Sequence, residues 1–186
     1  MTHQDENITI LLNEYKLNND AQNQLFKRVY QQLREIAFKQ LRTEQSDSTY
    51  GLTSLVDESF IRLSNSDNHN WLNRRQYYAA IAKTMKRILI EHARHNLRKG
   101  REHKYQALEF QEAFHFNKTT SKHISQLNDA LSDLSKKKPE LAELVELKFF
   151  IGLDIKEIAN VMECSMSSID RRWALAKAWL TTAMNE

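Results

Sequence analysis

Between residues 71 and 94 cations alternate with aromatic rings: Trp71, Arg74, Arg75, Tyr77, Tyr78, Lys83, Lys86, Arg87 and Arg94. Cations at that density track phosphates, and rings placed among them can stack on exposed bases, which is the chemistry of single-stranded nucleic-acid binding. The same spacing equally puts Tyr77 and Tyr78 in a core with the lysines merely solvated. A second group lies near the C terminus, where Ser165, Ser167, Ser168, Arg171, Arg172 and Lys177 offer hydroxyl and cationic donors suited to duplex DNA. Covalent chemistry finds no such support. Hydrolysis or group transfer needs a nucleophile with its base, or a metal with open coordination, and neither is legible. No glycine-rich phosphate loop is present. His92 and His95 lie three apart on one helix, but the surrounding cations oppose a metal ion. No catalytic residue, metal or cofactor is expected, and the chain does not read as an enzyme.

Helices must position both groups. The first group rides on a helix predicted over about Arg74 to Leu97, with Tyr77, Tyr78, Ile81, Met85, Ile88, Leu89 and His92 as its inner stripe. The second begins with Asp154 and Glu157, spaced as a capping box that satisfies orphan amides at a helix start. Ile155, Ile158, Ala159 and Met162 then repeat at helical spacing. Glu163 and Cys164 separate this helix from another, capped by Ser165, whose inner positions are Ile169, Trp173, Ala176 and Leu180. So short a connection forces a steep crossing, the helix-turn-helix arrangement, with Ser167, Ser168, Arg171 and Arg172 at the start of the second helix. Any helical hairpin shares these signals. Glu163 stands where the turn often holds Gly, which takes left-handed dihedrals without strain. Cys164 reads as a small core residue.

The rest of the chain follows the same pattern. Apolar-periodic pieces occupy 8–17, about 25–41 and Thr53 to Leu63, and the all-polar stretch Ser64 to Asn70 must be a surface loop. Residues 98–123 lose periodicity. From Ile124 it returns through Leu127, Leu131 and Leu134 to a Lys136-Lys137-Lys138 break. Pro139 suits the first turn of the next helix, Leu141, Leu144, Val145, Lys148 and Phe149 continue its stripe, and Gly152 can close it in a left-handed cap. With three Gly and one Pro in 186 residues, long helices are rarely interrupted and a β-rich fold is disfavoured. The fold expected is all-α: a helical domain over 1–97, a charged linker over 98–123 and a helix-turn-helix domain over 124–186. No apolar run approaches the length of a membrane span and no signal-peptide pattern opens the chain, so a cytoplasmic protein without membrane insertion is expected. The net charge of +3 conceals an asymmetry: −3 over 1–70, +8 over 71–104 and −2 over 105–186. Positive charge concentrated in this way favours a polyanion partner.

Four segments carry a resemblance. They are Leu55-Val-Asp-Glu-Ser-Phe-Ile-Arg-Leu63, the run from Tyr77 to Arg94, Val145-Glu-Leu-Lys-Phe-Phe-Ile-Gly-Leu153, and Arg171-Arg-Trp-Ala-Leu-Ala-Lys-Ala-Trp-Leu180. In this order and spacing the chain resembles, over nearly its whole length, the bacterial sigma factors of the extracytoplasmic-function (ECF) type. The resemblance implies that Asp57, Glu58 and Arg62 belong to a contact with core RNA polymerase. It implies that the loop and helix over 64–94 recognise and melt the −10 promoter element, with Trp71, Arg74, Arg75, Tyr77, Tyr78, Lys83, Lys86 and Arg87 as the DNA-binding set. The linker would thread through the polymerase, and Ser165, Ser167, Ser168, Arg171, Arg172 and Lys177 would read the −35 element as duplex. An anti-sigma factor or a regulatory kinase is a possible further partner, and Ser54 and Ser59 flank Asp57 and Glu58 where a phosphate could tune docking.

Two residues depart from the family pattern. Asp170 replaces a common basic residue, with Arg172 a candidate to supply the missing charge, and Glu163 replaces the usual Gly or Asn of the turn. The competing reading is a conventional helix-turn-helix regulator, dimeric on a palindrome, with its N-terminal part sensing or dimerising.

Overall fold

Asn73 starts the longest helix, its side chain accepting the Gln76 amide at 3.0 Å. In this computed structural model the helix, α1, runs Arg74–Arg98. The residues described are 73–100 and 119–185 throughout, with Lys104–Tyr105 and short pieces at 23–24, 27–28, 30–31, 57–59 and 61–63. Trp71, Ser54, the apolar-periodic piece over 8–17 and the polar stretch over 64–70 lie outside them. No Gly or Pro interrupts α1, and Gly100, at φ 64°, lies just beyond its C-terminal end.

The segment expected to be a linker holds a small ordered feature. Lys104–Tyr105 (β1) pairs antiparallel with Thr119–Thr120 (β2), with Lys104 opposite Thr120 and Tyr105 opposite Thr119. Thr120 then caps the next helix, α2 (Ser121–Lys137), in a capping box whose third residue is His123. The ladder brings the chain to that cap, so α2 starts three residues earlier than hydrophobic periodicity alone indicates. Apart from this ladder and the short turns between helices, the described residues are helical, and the fold is all-α.

Pro139 occupies the first turn of α3 (Pro139–Glu146), where its missing amide leaves no acceptor unsatisfied. The sequence reading carried one helix on to Gly152. Instead, α3 widens into a π-helical turn over Leu147–Ile151, and Gly152 closes it at φ 82° with its amide bonded to the Leu147 carbonyl. The wider turn changes the phase of the stripe. Leu147, Phe150 and Ile151 face inward, while Lys148 and Phe149, expected on the stripe, are only half-buried.

Helix α4 (Ile155–Val161) carries the expected capping box: Asp154 accepts the Glu157 amide at 2.7 Å and Glu157 accepts the Asp154 amide at 2.8 Å. The turn then places Glu163 at φ 54°, the conformation that Gly would supply without strain. Helix α5 (Met166–Asn185) follows, with the Ser168 amide donating to both the carbonyl and the hydroxyl of Ser165. Ile169, Ala176 and Leu180 are fully buried as expected, and Trp173 is half-buried.

One apolar core joins these pieces. Tyr77, Tyr78, Ile81, Met85 and Ile88 of α1 belong to the same buried cluster as Leu127, Leu131 and Leu134 of α2, Leu144 of α3 and Ile169 of α5. Burying each such aliphatic chain is worth roughly 1.5–3 kcal/mol, so the contact of α1 with the C-terminal helices is a substantial part of the packing. A smaller cluster of Ile90, Ala93 and Ile124 extends the contact towards the end of α1.

Candidate nucleic-acid interface

Side chains leave α1 in several directions, so its cations meet different neighbours. Arg74 lies over the Tyr78 ring, 5.5 Å from its centroid. Arg75 and Lys86 face α3: Arg75 forms a bidentate pair with Glu143, Nε to Oε1 and Nη2 to Oε2, both at 2.7 Å. The hydrogen bond with Glu143 raises the Arg75 pKa above its ordinary value. Lys86 pairs with Glu146, whose side chain is only 9% exposed. Lys83 is exposed, and Arg87 is a surface residue bonded to Glu91 at 2.9 Å. Arg75, Lys83 and Lys86 line one wall of a cleft of about 500 Å³, with Ser135, Glu143 and Glu146 opposite.

Tyr77 and Tyr78 decide between the two placements that spacing left open. They are 1% and 0% exposed and meet edge-to-face, with centroids 6.2 Å apart. In this conformation both rings serve the core and neither presents a face to a base. Side-chain periodicity cannot distinguish these roles, because an aromatic ring suits either.

The residues expected to face polymerase are also engaged within the chain. Tyr30 donates its hydroxyl to Asp57 at 2.5 Å. Arg62 bonds Glu58 at 2.6 Å and Glu91 of α1 at 2.9 Å, a bridge from the Asp57 segment to α1. Hydrogen bonds from Arg62 and then Arg87 hold the Glu91 carboxyl below its ordinary pKa. Ser59 is 1% exposed, so a kinase would reach its hydroxyl only after local opening.

At the other group, Ser165, Ser167 and Arg171 are exposed around the start of α5, with Ser168 half-buried. Arg171 reaches back to the Ser167 carbonyl at 3.3 Å. Arg172 turns away: it bonds Glu140 at the start of α3 at 3.1 Å, and its Nη1 lies 3.6 Å from Cys164 Sγ. Cys164 is half-buried against the core and donates to the Met162 carbonyl. Lys177 and Lys148 both approach the Trp173 ring, at 5.8 and 5.6 Å, and Phe149 meets the same ring edge-on at 5.4 Å.

The sequence reading missed the three carboxylates of α3. Glu140, Glu143 and Glu146 recur every third residue after Pro139, and the signal was visible, since Glu146 falls inside the apolar run from Leu144 to Leu147.

These cations and exposed donors are distributed along two helical regions in a chain that matches the ECF sigma factor family model over residues 5–186. The chain belongs to the ECF sigma factor family. Such a sigma factor directs transcription with core RNA polymerase on promoter DNA, and the family initiates transcription without being enzymes. No curated protein matches the chain, and no solved structure matches it. Among the described residues of this sigma factor, no helix is long and apolar enough to cross a membrane.

Proposed function

We propose that this sigma factor divides promoter recognition between its two helical regions. Asp57, Glu58 and Arg62 contact core polymerase, and residues 64–94 recognise and melt the −10 element. The pair α4–α5 reads the −35 element as duplex, and residues 98–123 connect the two within the polymerase. The observation that carries this reading is the start of α5. Exposed Ser165, Ser167 and Arg171 stand at the N-terminal end of a helix that leaves a tight turn, where major-groove readers place their base contacts. The concentration of cations on α1 supports a phosphate-tracking role for that helix. An anti-sigma factor or a kinase acting at the polymerase-facing segment would fit the same division.

Gel filtration with sigma-free core RNA polymerase tests the first element. The wild-type chain should comigrate with core at moderate salt, and Asp57→Lys/Glu58→Lys should not. Footprinting of the resulting holoenzyme with a single-strand-specific probe then reads opening at the −10 element. A chain that ignores core and binds a palindromic duplex as a tight dimer would overturn the proposal.

A further inference from the structure

Glu140, Glu143 and Glu146 occupy one short helix, and each holds one cation of the DNA-binding set. Glu143 holds Arg75 through two hydrogen bonds of 2.7 Å, Glu146 holds Lys86, and Glu140 holds Arg172 at 3.1 Å. Arg75 and Lys86 belong to the strand-opening region, and Arg172 to the duplex-reading one. We infer that α3 is an internal mimic of the phosphate backbone, a latch that occupies DNA-binding cations of both regions while the sigma factor is free. The inference rests on the division of promoter recognition proposed above.

Three observations besides the charge pairing carry it. The spacing of the carboxylates, three residues apart, keeps them within one sector of the helix, so one rigid element presents all three. Glu146 is buried at 7% exposure, where a carboxylate without a partner would be costly, so its position among Val145 and Leu147 depends on Lys86. Tyr77 and Tyr78 are covered in the same core, to which Leu144 of α3 contributes beside Leu127, Leu131 and Leu134 of α2. Thus α3 neutralises the cations and, together with α2, covers the rings. Separation of α1 from α2 and α3 would release Arg75, Lys86 and the rings together, and DNA phosphates would take the places of Glu143 and Glu146.

A charge-matched comparison tests the latch on the full-length chain. Glu143→Gln/Glu146→Gln keeps side-chain size and frees Arg75 and Lys86. Asp129→Asn/Asp133→Asn removes the same charge from exposed positions of α2 that touch neither cation. Fluorescein-labelled oligothymidylate and a mixed-sequence duplex serve as probes. The latch variant should bind oligothymidylate about tenfold more tightly than the charge-matched control, with the slope of log K against log salt steeper by about 0.7 per cation released. Glu140→Gln should show its gain on the duplex, with a slope steeper by about 0.9. If Glu146→Gln lowers the melting temperature too far, Glu143→Gln alone reads the same release against Asp129→Asn. Equal affinity and slope for variant and control would overturn the latch. Comigration with core, measured on the same samples, separates the two ideas: its absence in the wild-type chain would overturn the polymerase-subunit reading and the latch with it.

Discussion

Arg75 and Glu143 meet in a two-bonded pair between α1 and α3, Nε to Oε1 and Nη2 to Oε2, each at 2.7 Å. The pair bridges 68 residues of sequence, and it is flanked by Lys86 with Glu146 along the same two helices. Such geometry fixes the angle of the guanidinium plane as well as its distance, so Lys at position 75 would not reproduce it. A double-mutant cycle of Arg75→Ala and Glu143→Ala in chemical denaturation should give a coupling of about 1 kcal/mol. The value is held down because Arg75 is 40% exposed and partly screened. Additive single mutants would show that the pair is incidental to the packing.

The cap of α4 offers a local test. Asp154→Ala removes the acceptor of the Glu157 amide and should lower stability by about 1 kcal/mol. Thermal melts followed by circular dichroism read the change. Duplex affinity should fall too, because α4 supports the turn from which α5 departs.

Glu163 carries a side chain at φ 54°, where Cβ crowds the following carbonyl. Glu163→Gly should raise stability by up to about 1 kcal/mol, the strain relieved being partly offset by a more flexible unfolded chain. Glu163→Val should do the opposite, since a β-branched residue fits this conformation poorly. Melting temperatures of the two variants should therefore move in opposite directions.

Glu91 sets a pH dependence. Arg62 and Arg87 hold its carboxyl below the ordinary value of 4.5, so the folded state binds its proton less readily than the unfolded chain. Its stabilising contribution is therefore complete above about 4.5 and is lost as pH falls through the lower folded value. Denaturation of wild type and Glu91→Gln should differ at neutral pH and converge in acid. A constant difference across that window would remove Glu91 from the acid response.

Arg171 and Lys177 should separate base reading from phosphate contact. With holoenzyme on a cognate promoter, Arg171→Ala should cost about 1–3 kcal/mol and relax preference at one −35 position. Lys177→Ala should weaken all sequences alike and flatten the salt slope.

Much of the helical layout was written in local signals. Asp154 with Glu157, Pro139, Gly152 and the Lys136 to Lys138 break each mark an element boundary through interactions within a few residues, and the structure places boundaries at each of them. The early start of α2 is a local cap, Thr120 on the His123 amide, that hydrophobic periodicity does not register. The pairing of Thr119–Thr120 with Lys104–Tyr105 from a distance was not legible. Nor was the π turn at Leu147–Ile151, which answers to the need to bury Leu147, Phe150 and Ile151 together.

For the interface, the sequence by itself determined which residues are available. Cations gather over 71–104, donors gather at the start of the last helix, and the order of four segments assigns the chain to its family. Tertiary structure alone decided what each of them touches. Tyr77 and Tyr78 became core, Arg75 and Lys86 met α3, and Arg172 turned to Glu140. The physical reason is range. Caps, turns and amphipathic stripes are settled within one or two helical turns, whereas the partner of a surface charge depends on which distant helix the core brings beside it.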